Sequence, residues 1–165
     1  MRLTTSRSLR DEYIWLALNL DQDPRPVSGP PGLGFREISR EELERDPARF
    51  GVTLSDVRHP VPRRFFAGFL ADEVVYRMWV FEAHDHLLGR LPDSVRNAVL
   101  PSALAVEGSF TPPALRGRSI RPAALTWLAA TARAEGMQQI LLETRRTNIA
   151  SIRGALKAGF KAMTR

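Results

Sequence analysis

The chain has no cysteine and no long apolar run. The lack of cysteine excludes disulfide bonds, Cys-ligated zinc and a cysteine nucleophile, and it suits a reducing compartment. No stretch approaches the roughly 20 apolar residues that a membrane-spanning helix needs. The first ten residues are basic but lack the apolar core of a secretory signal, and Asp11 and Glu12 follow at once. We therefore expect a plain N-terminus and a cytoplasmic protein without a membrane partner.

Acidic side chains are almost missing from the last third of the chain. Residues 112–165 hold ten Lys or Arg but only Glu135 and Glu143 as acids, so the net charge of +6 originates there. Such an excess indicates an anionic partner. On charge alone, a polyphosphate cofactor, a nucleic acid and an ordinary solvated basic surface all remain open.

The N-terminal part is predicted to differ from the rest. Residues 9–20 have the apolar spacing of a helix, and a stretch rich in Pro and Gly follows up to residue 34. We therefore predict a helix and an irregular arm over 1–34, and one domain over 35–165.

Within that domain, strand and helix patterns follow one another. Ser39 and Glu42 have the spacing of a capping box at the start of a helix. Two runs of aromatic and β-branched residues predict a hairpin, and the order strand, helix, strand, helix towards the C-terminus predicts a mixed sheet flanked by helices. The region 82–102 is expected to be mostly irregular. The predicted strands cover 34–38, 63–70, 74–81, 102–110 and 138–144, and the predicted helices about 40–48, 93–99, 118–135 and 148–158.

Three arginines crowd the start of the helix predicted from about residue 118. The N-terminus of a helix is already its positive end, because its first N–H groups have no partner. Arg116, Arg118 and Arg121 would therefore repel both it and one another, unless an anion such as a pyrophosphate binds there.

The segments FTPPALRGRSI and RAEGMQQILLETRRTNIASIRGALKAGF resemble the core of the GNAT superfamily of acyl-CoA-dependent acyltransferases, over about residues 103–160. The family has Arg or Gln in the turn, then two residues, a Gly, one residue, and Gly or Ala. A Gly later closes the helix, an apolar strand follows, an Asn opens the next helix and Gly-Phe ends it. The matching positions here are Pro113, Arg116, Gly117, Gly136, Asn148, Gly159 and Phe160.

This resemblance implies a GNAT-like sheet, mixed but mostly antiparallel, whose central strands are splayed around acetyl-CoA or another acyl-CoA. The pyrophosphate would bind the backbone N–H groups of 116–121. The pantetheine arm would run along the edge of strand 103–111, with Asn148 on the opposite side. The implied cofactor-binding residues are Phe110, Thr111, Arg116, Gly117, Arg118, Ser119, Ile120, Arg121 and Asn148; no metal is implied.

Several positions depart from the family pattern. Ser119 and Arg121 stand where the family has small residues, and Arg121 would either clamp the phosphates or block the site. Ala155 stands where many members have the Tyr that protonates the leaving thiolate. The chain also ends at Arg165, whereas the family continues with one or two strands. Either the chain is truncated or another segment fills the gap, and the N-terminal arm and a second subunit in a homodimer are the candidates for that segment.

The resemblance predicts transfer of an acetyl group to a primary amine of a small molecule, such as an amino sugar or an amino acid derivative. Glu107 is the candidate general base, because alternation places it on one face with residues 103 and 105. His84 and His86 are alternative bases. A catalytically degenerate CoA-binding or structural module and a basic nucleic-acid-binding protein are the competing functions.

Overall fold

Seven strands form a single sheet in the part of the chain that the computed structural model describes, residues 12–21 and 25–163. The strands are β1 (Tyr13–Asn19), β2 (Leu33–Ile38), β3 (Arg64–Leu70), β4 (Glu73–Glu82), β5 (Ala103–Phe110), β6 (Gln139–Arg145) and β7 (Lys161–Ala162). The helices are α1 (Arg40–Arg45), α2 (Leu54–Val57), α3 (Ala83–His86), α4 (Asp93–Arg96), α5 (Ile120–Ala134) and α6 (Ile149–Lys157).

The strand order is β2-β3-β4-β5-β6-β1-β7, and β5 and β6 are the only parallel neighbours among these strands. Helix α5 makes the connection between the two, because parallel strands need a crossover rather than a tight turn. The predicted mixed, mostly antiparallel sheet flanked by helices is therefore confirmed, as are the five predicted strands.

The two faces of the sheet are covered by different helices. On one face α5 and α6 pack against β4, β5 and β6, and Leu125, Leu128 and Ala155 are fully buried there. Small helices cover the other face, where Leu43 of α1 and Val95 of α4 are buried. The end of α5 follows the sequence prediction. Gly136 has φ 81°, and the next N–H donates back to the helix, which is the Schellman ending.

The predicted helix over residues 9–20 is wrong, since residues 13–19 form β1; residues 9–11 lie outside the described part. β1 pairs with β6 along its whole length, from Tyr13 opposite Arg145 to Asn19 opposite Gln139. The apolar spacing in YIWLALN suits a strand as well as a helix, and pairing with a buried strand decides between them. β1 also pairs with β7. The N-terminal arm, one of the two segments considered for completing the sheet, therefore lies beside β6 and β7. The start of the domain at residue 35 stays a prediction.

Other differences are local. Helix α1 ends at Arg45, and a 3-10 turn follows it. Ser39 Oγ accepts from the Glu42 N–H at 3.1 Å, but the Glu42 carboxylate binds Arg36 instead of returning to the Ser39 N–H, so only half of the predicted capping box forms. The region 82–102 is more regular than expected, since α3, a 3-10 turn and α4 occupy much of it.

Candidate active site

The central feature of the sheet is the point where β5 and β6 separate. The two strands pair from Ala103 opposite Gln139 to Val106 opposite Leu142, and no further. Beyond this point β5 continues beside β4, and β6 continues beside β1. The predicted splay of the central strands is thus confirmed, and a cleft of about 130 Å³ lies at the point of separation.

A β-bulge in β5 accompanies this separation. Trp79 of β4 lies opposite Glu107 and Arg77 opposite Phe110, so β5 has one residue more than its partner between these pairs. Gly108 has φ 59°, in the left-handed region, and a Cβ there would lie 3.3 Å from the Trp79 ring. A bulge bends its strand and increases the twist, which directs β5 away from β6.

Two carboxylates face each other across the cleft, Glu107 from β5 and Glu143 from β6. The Glu107 side chain is 55% exposed, and its Oε2 lies 4.0 Å from Nη1 of Arg63. Arg63 is held in place, because its Nη2 donates to the Asp56 carbonyl at 2.6 Å and its guanidinium lies 4.1 Å from the centre of the Trp79 ring. The candidate base predicted from the sequence therefore lines the cleft as part of a loose ion pair.

Sequence reasoning missed Glu143 as a site residue. Partial desolvation by the cleft raises its pKa above the ordinary value for Glu; Arg90 lowers the pKa and Glu107 raises it further. Trp15 of β1 is its register partner and also lines the cleft. One signal was available, because Glu143 is one of only two acids in the last third of the chain.

The loop before α5 has an open, basic surface. Gly117 and Ser119 have φ of 81° and 60°, so two left-handed residues turn the chain into the helix. Arg116 and Arg118 are exposed, and Arg116 Nε donates to the Thr111 carbonyl at 3.2 Å. The first N–H groups of α5 have no intrahelical acceptor, as at the start of any α-helix. The start of α5 therefore combines these N–H groups with two exposed arginines.

A further cation, which the sequence analysis did not single out, lies beside this loop. Lys157, at the end of α6, donates from Nζ to Ser119 Oγ at 2.8 Å. The two residues are 38 positions apart in sequence, and only the packing of α6 on α5 brings them together.

Arg121 does not extend over this surface. Its guanidinium turns inward and donates to the Ser151 carbonyl in α6, and it also lines the cleft. It reaches the Tyr76 hydroxyl as well; burial raises the pKa of Tyr76, and Arg121 partly offsets this. The guanidinium packs next to Gly154, where a Cβ would lie 3.6 Å from Nη1, an ordinary van der Waals contact. Arg121 therefore connects the loop with the cleft. The sequence analysis expected its side chain either to cover the phosphates or to block their site, and the inward orientation is neither of these.

The remaining predicted site residues have local roles of their own. Asn148 caps α6, and its Oδ1 accepts from the Ser151 N–H at 3.1 Å. Phe110 is 41% exposed beneath the Arg77 guanidinium, whereas the Ile120 side chain is buried in the core. His84 lies apart from the cleft lining, with Nε2 2.8 Å from the Leu100 carbonyl.

The described residues, 12–21 and 25–163, contain no group of three or more His, Asp or Glu side chains placed to hold a metal ion. Nor does this part of the chain contain a helix that is long and apolar enough to cross a membrane.

The sequence matches no protein-family model and no curated protein. The structure is similar to a GCN5-related N-acetyltransferase from Kribbella flavida, with 18% identity and a TM-score of 0.58 over 91% of this chain and 54% of that one. It is also similar to a GCN5-related N-acetyltransferase from Sphaerobacter thermophilus, with 14% identity and a TM-score of 0.59 over 91% of this chain and 48% of that one. The chain thus spans about half the length of these two proteins.

Shorter proteins are matched over more of their length. The aminoglycoside N-acetyltransferase AAC(6')-Iy, in complex with CoA, is 16% identical with a TM-score of 0.58 over 80% of this chain and 94% of that one. AAC(6')-Ib, in complex with paromomycin and acetyl-CoA, is 14% identical with a TM-score of 0.59 over 79% of this chain and 83% of that one. The chain therefore has the GNAT fold, as the resemblance over residues 103–160 predicted.

Proposed function

We propose that the protein is an N-acyltransferase that transfers an acetyl group from acetyl-CoA to a primary amine of a small molecule. The observation that carries the proposal is the cleft between β5 and β6, whose wall reaches the first turn of α5 at Arg121. Similarity to structures that contain CoA or acetyl-CoA, and in one case paromomycin, supports both the co-substrate and a small amine as acceptor.

The loop before α5 would hold the pyrophosphate of the co-substrate. Backbone N–H groups at a helix start bind phosphate oxygens, and the helix dipole adds to this attraction. The left-handed turn at Gly117 and Ser119 leaves the backbone accessible, while Arg116, Arg118 and Lys157 lie around it. Acetyl-CoA, when bound, supplies an acyl group that is activated as a thioester. The three cations would offset its phosphate charge, which gives a reason for their crowding.

A CoA-binding module without catalysis is the second candidate, and one observation favours it. Ala155 is fully buried in α6, so no hydroxyl is available at the position where many GNAT members have Tyr. Release of free thiol from acetyl-CoA in the presence of amines separates the two functions, since a module that only binds CoA releases none.

A titration of the melting temperature with acetyl-CoA tests the proposed binding site. A ligand that binds the native state raises the melting temperature with concentration. Arg116→Ala should weaken the affinity about tenfold, because a charge-assisted bond to phosphate contributes about 1.5 kcal/mol or more. Arg40→Ala is the matched control: Arg40 is an exposed arginine of α1 that pairs with Glu44. No shift with the wild-type protein, or equal shifts for the two variants, would contradict the proposal.

A further inference from the structure

We propose that Glu143 takes the proton from the incoming amine, and that Glu107, beside Arg63, instead binds the positive charge of that substrate. This inference rests on the proposed function and specifies the acceptor half of the same site. It differs from the sequence prediction, in which Glu107 is the base.

The position of the two carboxylates in the sheet is the first argument. Val106 and Leu142 are the last paired residues of β5 and β6, and Glu107 and Glu143 are the next residue on each strand. By alternation both lie on the face of Ala105 and Leu141, which line the same cleft. One carboxylate therefore stands on each side of the opening, where the strands no longer bond to each other.

The Glu107 side chain is 55% exposed, so a cationic group of the substrate can reach its carboxylate. The Arg63 guanidinium lies 4.0 Å away, and only 10% of that side chain is exposed. Arg63 Nε is buried and has no hydrogen-bond partner in the described part of the chain. At 4.0 Å the contact between Arg63 and Glu107 is a loose ion pair rather than a hydrogen bond, so the Glu107 carboxylate keeps acceptor capacity for an ammonium group.

The surroundings of Glu143 differ. It faces Glu107 from β5, Arg90 from the 3-10 turn Leu88–Arg90, and the indole of Trp15 from β1, while Arg121 lies further along the cleft wall. Partial burial raises the pKa of Glu143, Arg90 opposes this rise, and the charge of Glu107 adds to it, so this carboxylate takes up a proton more readily than an ordinary Glu. When two carboxylates in one site have environments that separate their proton affinities, the one that holds protons more readily is suited to act as the base.

The reaction can be written with its protons balanced. The acceptor enters as R–NH₃⁺ and gives one proton to the Glu143 carboxylate, which passes it to solvent. The amine lone pair forms a C–N bond to the acyl carbon, and the C–S bond of the thioester breaks. The second proton lost by the nitrogen ends on the departing sulfur. The products are the amide, the free thiol and one released proton.

The test compares Glu143→Gln with Glu107→Gln, and Glu73→Gln, an exposed residue of β4, is the control. Thiol release is followed with tyramine, spermidine and kanamycin as acceptors across pH 5–9. Glu143→Gln should lower kcat by about 100-fold, the lower range for removing a general base, and remove the inflection that belongs to this carboxylate, leaving only the limb set by ionisation of the amine itself. Glu107→Gln should mainly raise KM for the amine and move the acidic limb to lower pH.

A second measurement needs no acceptor. ¹³C NMR titration of the Glu carboxyls, assigned with the same variants, should show a pKa of Glu143 that is above the ordinary value for Glu and that falls in Glu107→Gln. A Glu143 pKa at or below the ordinary value overturns the inference by itself. So does a pH profile of Glu143→Gln that keeps the wild-type inflection while acetyl-CoA still binds. Failure of the proposed function is seen separately, as wild-type protein that shows no shift with acetyl-CoA.

Discussion

Replacing Leu16 with Ala tests the insertion of β1 into the sheet. Leu16 is fully buried; it lies opposite Leu142 of β6 and packs in the core beneath α5 and α6. If residues 13–19 were instead a helix on the surface, the same change would remove little buried area.

The expected loss of stability follows from the burial of Leu16. Leu→Ala at fully buried positions costs about 3–5 kcal/mol, which is the transfer free energy of the lost methyl groups together with the cavity left behind. For a domain of 165 residues, 1 kcal/mol corresponds to about 2–4 °C in melting temperature. We therefore expect Leu16→Ala to lower the melting temperature by about 6–12 °C or more.

Thermal unfolding followed by circular dichroism measures this effect, and Leu54→Ala is the matched control. Leu54 belongs to α2 and is 42% exposed, so its truncation should change stability by no more than about 0.5 kcal/mol. If the two variants melt within about 2 °C of each other, the placement of β1 between β6 and β7 is wrong.

Three further predictions concern single positions. Gly117→Ala should lower the free energy of unfolding by about 1 kcal/mol, and its positive φ is the cause, because no atom lies within 4 Å of the added Cβ. The same variant should weaken acetyl-CoA binding in titrations. Gly89→Ala is the control: this position is equally open but has no positive φ, so the change should be neutral. Arg64→Ala should cost about 1 kcal/mol at pH 7. The hydrogen bond from Arg64 lowers the pKa of Glu135, so the stability that this pair contributes is present above the ordinary Glu pKa of about 4.3. In urea unfolding, the difference in stability between Arg64→Ala and wild type should therefore shrink as the pH falls below that value. Asn148→Ala should cost about 1 kcal/mol as a lost helix cap and Asn148→Ser almost nothing; a Ser variant that melts like wild type but binds acetyl-CoA as weakly as the Ala variant would assign the amide to the cofactor.

The C-terminal third was the most predictable part of the fold. Its helix ends and strand depend on local signals, such as Gly136 after α5 and the Asn148 cap of α6, and the apolar run in β6 is short enough to be a buried strand. Residues 13–19 were assigned wrongly because their apolar spacing fits two periods, and the deciding partner, β6, lies more than a hundred residues away.

The same limit applies to the site. The left-handed turn at Gly117 could be predicted from local sequence, and so could the position of Glu107 on its strand. The proximity of Lys157 to Ser119 and of Glu143 to Glu107 depends on packing between separate elements. Single-sequence patterns do not specify such contacts, which explains why these two residues were found only in the structure.

The pairing of β1 with β6 has a consequence for how the chain reaches its native state. β1 precedes its partner, residues 139–145, by more than a hundred residues, so it cannot pair until those residues have been synthesised. Closing so long a loop costs conformational entropy before the contacts between β1 and β6 can lower the free energy, and folds dominated by distant pairings fold slowly. During this interval β1 lacks its partner strand β6, and such an unpaired strand makes the nascent chain prone to aggregation.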